Sequence, residues 1–445
     1  MSLRSLLMPA VSAWYLSEHR LQRRRSQAEA IRSRRHAAHE VLYFHQVDDP
    51  YSALMVQVLP RLLAGYPIQL TVHIVPPPDD AAAPDRARLV AYSRRDAALL
   101  ASHWGVPWTD PGQQPAASAV VRATQRCVEA VHKGEFLIRA QEICHDLWQG
   151  SAPQASDQIG NATSIHHAAL DASAATHLAQ SAALRKRLGH YLGATLFYAG
   201  EWYWGLDRLH HLEARLQALG IGSGIPYQCP LLADWRSTAD IPAHGVSDAA
   251  RRLGIDFFFS LRSPYSAIAA PRIFKLGQLT DVPVRLRYVL PMVMRGLPVP
   301  PQKRRYISLD AAREARLHQV PFGRVNDPLG RPTERGLALM PLAEASGLGQ
   351  AYVLSFMQGV WAQGLDAGSD RGLRTIVERC GVDWSEAQRV LAEDRLGQGA
   401  WRRIAENNRL EMTSLGLWGV PSFRVGDFAT WGQDRLWAVQ QALAR

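Results

Sequence analysis

The sequence predicts an α/β protein built from two tandem copies of one domain, each a mixed sheet with a helical insertion. Three observations carry this. Residues 41–52 (VLYFHQVDDPYS) and 255–266 (IDFFFSLRSPYS) share one pattern at a separation of 214 positions. Tyr92 and Tyr306 repeat that separation, as do Pro107 and Pro321. Residues 188–209 (LGHYLGATLFYAGEWYWGLDRL) and 415–436 (LGLWGVPSFRVGDFATWGQDRL) then match at 227 positions. Self-similarity at a fixed offset is the mark of a duplicated structural unit.

Each element follows from local pattern. A short apolar run opens each copy, at 41–44 and 255–259, and reads as a buried strand. A helix begins at Pro50 or Pro264, because proline suits the first helical turn, where its missing N–H is not needed. A second strand covers 68–75 or 284–290, followed by a long, mainly helical stretch. A hairpin turns at Ala199-Gly200 or Gly426-Asp427, and a last helix follows Trp204-Gly205 or Trp431-Gly432. The order βαβ, helices, ββα describes a thioredoxin-like sheet. Ser263 and Pro421 lie 158 positions apart, so the helical insertion is large.

This gives four segments. Residues 1–39 form a basic, helical extension; 40–220 a first, degenerate thioredoxin-like domain; 221–253 a linker rich in glycine and proline; and 254–445 a second domain that carries the site. Residues 150–182, rich in Ala, Ser, Gln and His, read as a soft loop or weak helix and account for the change of offset.

The chain has 445 residues, 47% of them hydrophobic, and a formal net charge of +10. That length allows two or three domains with real cores. The charge points to an anionic partner: nucleic acid, a membrane surface or a small carboxylate. Part of it is the arginine run in residues 19–36, read first as a solvated helical tail, since no RNA-binding aromatic motif or zinc finger accompanies it. The four cysteines, Cys127, Cys144, Cys229 and Cys380, form no CxxC pair and suggest free thiols in a reducing compartment. No apolar run approaches the roughly 18 residues needed for a membrane span. The apolar stretch after Arg4 is short, broken by Pro9 and flanked by arginine on the wrong side for a signal peptide. A cytoplasmic protein without a membrane span is expected.

Three short motifs could carry chemistry. Ser263-Pro264-Tyr265-Ser266 sits where a strand ends and a helix begins, and the helix N-terminus there stabilises an anion such as a thiolate. The bland alternative is a plain serine N-cap. Gly419-Val420-Pro421-Ser422-Phe423 opens a strand on a proline whose peptide bond could be cis, leaving the Val420 backbone to pair with a peptide-like ligand; an ordinary trans proline at a strand edge is the alternative. Gly432-Gln433-Asp434-Arg435 opens the final helix. There Asp434 could accept from an ammonium group while Gln433 and the first amides hold a carboxylate, or the segment is simply a helix cap.

In this order and spacing the three motifs resemble the family of 2-hydroxychromene-2-carboxylate isomerases and kappa-class glutathione transferases. These are relatives of DsbA-type thiol oxidoreductases in which serine replaces the first active-site cysteine. The resemblance covers residues 254–445 well and 40–220 more faintly. It implies glutathione as cofactor or cosubstrate, with Ser263 touching its sulfur, Val420 pairing with the cysteinyl backbone ahead of a cis Pro421, and Gln433 and Asp434 holding the γ-glutamyl head. Lys303, three before Tyr306, falls where the family places a lysine near the glycyl carboxylate. Pro298 stands where the family often has a glutathione-binding asparagine, and Glu334-Arg335 where an Asn-Thr pair is usual. Arg295, Lys303, Arg304, Arg305, Arg313 and Arg331 suit a small anionic substrate or form a basic solvated face.

The first copy has Asp49 at the position of Ser263, Thr195 at that of Pro421, and Leu206-Asp207 at that of Gln433-Asp434. An aspartate there would repel a thiolate, so the first copy is expected to bind no glutathione in this way. Because relatives of this fold pair as homodimers, the duplication implies an intrachain pseudo-dimer. The leading functional reading is a glutathione-dependent isomerase acting on a small aromatic carboxylate. A kappa-like transferase or peroxidase, and a redox-inactive binding or scaffold protein, are the alternatives. A disulfide oxidase is disfavoured, since Ser263 and Ser266 stand where it needs Cys-x-x-Cys.

Overall fold

Apolar runs and their caps set the element order. The structure, a computed structural model, describes residues 3–149, 170–222, 245–395 and 399–445. Helices α1 (Leu3–Tyr15) and α2 (Glu18–Arg34) open the chain. The first repeat runs β1 (His39–His45), α3 (Pro50–Gly65), β2 (Ile68–Ile74), α4 (Arg86–Trp104), α5 (Ala117–His132), α6 (Phe136–Gln149), α7 (Ala172–Leu188), β3 (Thr195–Tyr198), β4 (Glu201–Trp204) and α8 (Leu209–Ala218). The second runs α9 (Asp248–Leu253), β5 (Ile255–Phe259), α10 (Pro264–Thr280), β6 (Val284–Tyr288), α11 (Pro301–Leu317), α12 (Arg331–Ala338), α13 (Met340–Ala345), α14 (Gly349–Ala362), α15 (Asp370–Arg379), α16 (Trp384–Arg395), α17 (Trp401–Ser414), β7 (Ser422–Val425), β8 (Phe428–Trp431) and α18 (Leu436–Leu443). Of the soft segment expected at 150–182, α7 is a regular helix and 150–169 lie outside the described residues, as does most of the expected linker, 223–244.

The chain divides into two compact units: Gln22–Ala233 with Val299–Tyr306, and Met1–Leu21 with Asp234–Pro298 and Ile307–Arg445. Each holds one four-stranded mixed sheet, in the orders β2-β1-β3-β4 and β6-β5-β7-β8. In both, the first two strands are parallel and the last two join antiparallel through the hairpins expected. The first hairpin turns through Ala199 at φ +43° and Gly200 at φ +89°, the left-handed pair that a two-residue turn needs. Phe44 pairs with Thr195, and Phe258 with Ser422. Under the 214 and 227 offsets these are the same pair, so the two sheets agree in register as well as in order.

In the first unit, α2 is tied down rather than free, as Arg25 donates from Nε and Nη2 to both carboxylate oxygens of Glu201 at 2.8 Å. In the second, all five residues of β5 are buried, as a central strand covered on both faces requires. Phe257 stacks between Phe259 and Phe423, at centroid distances of 5.1 and 5.5 Å. Tyr352, Phe356 and Trp401 of the insertion join the same core. Each such side chain contributes roughly 1.5–3 kcal/mol by leaving water. The buried Asp256 is tolerated because Arg285, Arg287 and Arg424 donate to it at 2.7, 3.0 and 2.7 Å. Burial alone would raise its carboxyl; the Arg285 and Arg287 bonds outweigh that and hold it below the usual range. Helix α1 docks here through Ser12, whose Oγ accepts the Val325 N–H at 2.8 Å. Helix α9, within the expected linker, also packs here: the Ser247 N–H donates to the Leu443 carbonyl at 2.8 Å. Among the described residues no helix is long and apolar enough to cross a membrane.

Candidate active site

Ser263 caps α10 in extended conformation, and its Oγ accepts the Ser266 N–H at 3.1 Å. That bond leaves the hydroxyl hydrogen to donate, and it points to the Val420 carbonyl at 3.4 Å. The Val420–Pro421 peptide bond is cis. The Pro421 carbonyl in turn accepts the Gly432 N–H at 2.9 Å, which brings up the turn that carries Asp434. Gly432 sits at φ +119°, and a Cβ there would collide with Asp434 Oδ1, so the turn requires glycine. Thus Ser263 and the two motifs that lie 158 and more residues beyond it are joined by two hydrogen bonds at one end of the sheet.

Asp434 is partly exposed, with its Oδ1 3.5 Å from Arg435 Nη1. Gln433 is different: its side chain turns inward and is buried. Arg272 Nη1 donates to the Gln433 carbonyl oxygen at 3.1 Å and to Oε1 at 2.6 Å, while Gln433 Nε2 donates to Glu314 Oε2 at 2.6 Å. Burial lowers the Arg272 guanidinium to about 10, still charged at neutral pH. Gln433 therefore stands behind Asp434 as a support. Arg272 lies on α10 nine residues past Ser263, so a single helix carries both the serine cap and the strut to the Asp434 turn.

Lys303 does not join this group. It lies in the first turn of α11, the part of that helix (up to Tyr306) that belongs to the unit of the first repeat, and its buried ammonium donates to the Ala82 carbonyl at 2.8 Å. Burial pushes that ammonium down to about 8. Pro298 is exposed in the loop before α11. Arg335, from the departed Asn-Thr position, is buried and donates to the Gly368 carbonyl at 2.7 Å and to Asp370.

Sequence reasoning missed what steadies the turn before Ser263. Arg262 forks onto both oxygens of Asp327 at 2.8 and 2.9 Å, and the Trp361 indole donates to the Leu261 carbonyl at 3.1 Å. It also missed Arg272 and Glu314, although a signal existed. Under the 214 and 227 offsets, Arg272, Glu314 and Gln433 replace Val58, Leu100 and Leu206, three apolar residues fully buried in the first repeat.

The first repeat keeps the frame. Ser52 Oγ accepts the Gln46 N–H at 3.2 Å, as Ser266 Oγ accepts that of Ser260 at 3.4 Å. Tyr51 donates to Asp96 at 2.7 Å, as Tyr265 does to Asp310 at 2.7 Å. Asp49 caps α3, accepting the Tyr51 and Ser52 N–H groups at 3.3 and 3.2 Å. One expected correspondence needs correction. Thr195 opens β3 and matches Ser422; the residue at the position of Pro421 is Ala194. Its carbonyl accepts the Gly205 N–H at 2.8 Å, the counterpart of the Gly432 bond to Pro421. Setting Thr195 against Pro421 uses an offset of 226, one short of the 227 that holds for this stretch.

Residues 254–444 match the family described as the DSBA-like thioredoxin domain. A 2-hydroxychromene-2-carboxylate isomerase from Pseudomonas putida is 26% identical over 199 residues, 43% of this chain and 94% of that protein. A solved 2-hydroxychromene-2-carboxylate isomerase is 24% identical with a TM-score of 0.37, covering 43% of this chain and 94% of its own. The cytosolic disulfide reductase DsbM from Pseudomonas aeruginosa, solved with GSH, is 19% identical with a TM-score of 0.32, covering 42% and 97%. Residues 254–444 of this chain are a DSBA-like thioredoxin domain.

Proposed function

We propose that the second repeat is a glutathione-dependent isomerase acting on a small aromatic carboxylate of the 2-hydroxychromene-2-carboxylate kind. The observation that carries this is the junction of Ser263, Val420 and the Asp434 turn at a helix N-terminus. The named activity of the Pseudomonas putida relative supports it. The residues fit glutathione in part. A hydroxyl donor at a helix N-terminus suits a thiolate, the Val420 backbone suits a cysteinyl backbone, and Asp434 suits an ammonium group. Lys303 is directed to Ala82 and takes no part in this reading.

Glutathione, when bound, supplies a thiol whose reversible addition to an electrophilic carbon lets a bond rotate or a ring reopen and reclose. The protein's task is to keep that sulfur ionised near neutrality. The Ser263 hydroxyl would turn from the Val420 carbonyl, a long bond at 3.4 Å, to the sulfur. Lowering a thiol pKa by about two units requires about 2.7 kcal/mol, within reach of a helix N-terminus plus one hydroxyl donor. Ser263 and Ser266 supply no redox thiol, so disulfide exchange by this site is not part of the proposal. The reaction is proposed for the cytoplasm, with the two repeats acting as a pseudo-dimer in one chain.

Calorimetry with glutathione tests the reading, comparing wild type with Ser263→Ala and Asp434→Ala. Binding by wild type that weakens in Asp434→Ala supports it, and product analysis with 2-hydroxychromene-2-carboxylate then separates isomerisation from stable conjugation by a kappa-like transferase. No binding at millimolar glutathione would replace the proposal with the binding or scaffold reading.

A further inference from the structure

The parallel pair β5 and β6 ends on one edge of the second sheet, and the Val289 N–H extends that pairing to the Phe259 carbonyl at 2.8 Å. From this edge β5 leads into Ser263 and β6 leads into a 3-10 turn, Met292–Arg295. Ligands of open α/β sheets gather at such carboxyl edges. Arg295 closes the turn. It is partly buried, and among the described residues its Nε, shielded from solvent, meets no acceptor. Its charged neighbours make this more pointed. Arg409 of α17 lies close enough to disfavour the Arg295 charge, with burial the larger effect and Glu406 opposing both. Glu406, however, is already held by Arg409, which donates from Nε and Nη2 to its two oxygens at 2.8 and 2.6 Å. The acid whose charge favours that of Arg295 is thus already forked onto Arg409. Helix α17 is itself pinned to the end of β6, where Asn408 donates to the Tyr288 carbonyl at 3.0 Å.

A half-buried guanidinium whose Nε meets no acceptor among the described residues can take a partner from outside the chain. A planar carboxylate matches its fork. Met292, Val293 and Met294, the other residues of the turn, are partly buried and apolar, and thioether and branched side chains pack adaptably against an aromatic ring. Under the 214 and 227 offsets, Arg295 and Arg409 correspond to Ala81 and Ala182, so the first repeat lacks this pair just as it lacks Ser263 and Pro421. Of the other cations in the insertion, Lys303 is directed to Ala82 and Arg313 donates to Asp310 at 2.6 Å, while Arg304, Arg305 and Arg331 are exposed.

We infer that Arg295 binds the carboxylate of an aromatic substrate, with the Met292–Met294 turn against its ring. This rests on the isomerase reading and names the group that selects its substrate. Salicylate serves as the probe, titrated by calorimetry into the full chain without glutathione, beside salicylamide, which lacks the charge. Arg295→Met should weaken salicylate at least tenfold, Arg295→Lys should keep part of the affinity, and Arg305→Met should keep all of it. Salicylamide should bind weakly to every variant. Equal salicylate affinity in wild type and Arg295→Met, or no salicylate binding by wild type, overturns the inference. So does an Arg295→Met variant that loses glutathione but keeps salicylate, since the anion served would then be the cofactor's own. Thermal unfolding of each variant confirms folding. Because salicylate and glutathione are titrated separately, failure of the cofactor reading and failure of this site are read independently.

Discussion

The two repeats share strand order, register, the capped helix after the first strand and the Tyr–Asp bond at 2.7 Å, yet differ in what they bury. At three matched positions the first repeat places Val58, Leu100 and Leu206, and the second Arg272, Glu314 and Gln433. The reverse exchange lies beneath the helix cap. There the first repeat buries Tyr43 and His45, hydrogen-bonded at 3.0 Å, and the second Phe257 and Phe259. An apolar core of similar volume is often as stable as a buried ionic network, or more so by about 1–4 kcal/mol. The first repeat shows that this fold accepts the apolar solution. The network of the second therefore points to a role beyond stability, and it lies directly behind the turn that carries Asp434.

The largest expected effect comes from giving the second repeat the first repeat's cap. Ser263→Asp should fold, because Asp49 already caps α3 in the same way. Placed against a thiolate, it should weaken glutathione binding on the order of 100-fold or more, about 2.7 kcal/mol. Retained affinity in calorimetry would mean that the cap residue does not separate the repeats.

The second test concerns the first repeat. Burial pushes the His45 imidazole down to about 3, from an ordinary value near 6.5. With its folded pKa depressed, His45 contributes stability that is fully present above about 6.5 and is lost as pH falls towards 3. The slope approaches one proton, about 1.4 kcal/mol per pH unit. Replacing the pair by Tyr43→Phe/His45→Phe, the second repeat's solution, should remove that slope from urea unfolding between pH 6.5 and 4.5. An unchanged slope would assign acid sensitivity elsewhere.

Asp434→Ala should cost about tenfold in glutathione affinity, roughly the value of one charge-assisted bond, and should leave cysteinylglycine, which lacks the γ-glutamyl head, unaffected. Equal losses for both ligands would remove Asp434 from the head-group role. The smallest effect is expected from Arg272→Val/Glu314→Leu/Gln433→Leu. This variant should match or exceed wild type in Tm by a few degrees while losing a few-fold in glutathione affinity. A triple variant with unchanged affinity would make the network purely structural.

The sequence by itself determined what depends on neighbours along the chain. Apolar runs placed the strands, Pro50 and Pro264 marked the helix starts, and Ala199-Gly200 and Gly426-Asp427 marked the hairpins. Repetition then tied these into one topology, and it brought Ser263, Pro421 and Asp434 into view as a set. The tertiary structure decided which distant partner each buried polar side chain meets. Gln433 turns to Arg272 and Glu314 because two other helices deliver those groups behind it. Lys303 donates to the Ala82 carbonyl, and Arg295 is left beside Arg409, for the same reason. It also decided that Ala194, not Thr195, answers to Pro421, since register is set by cross-strand bonds that a one-residue slip in alignment does not reveal. Local steric and capping preferences act over a few residues and can be read in order. The environment of a buried charge depends on every element packed around it, and only the folded chain specifies that.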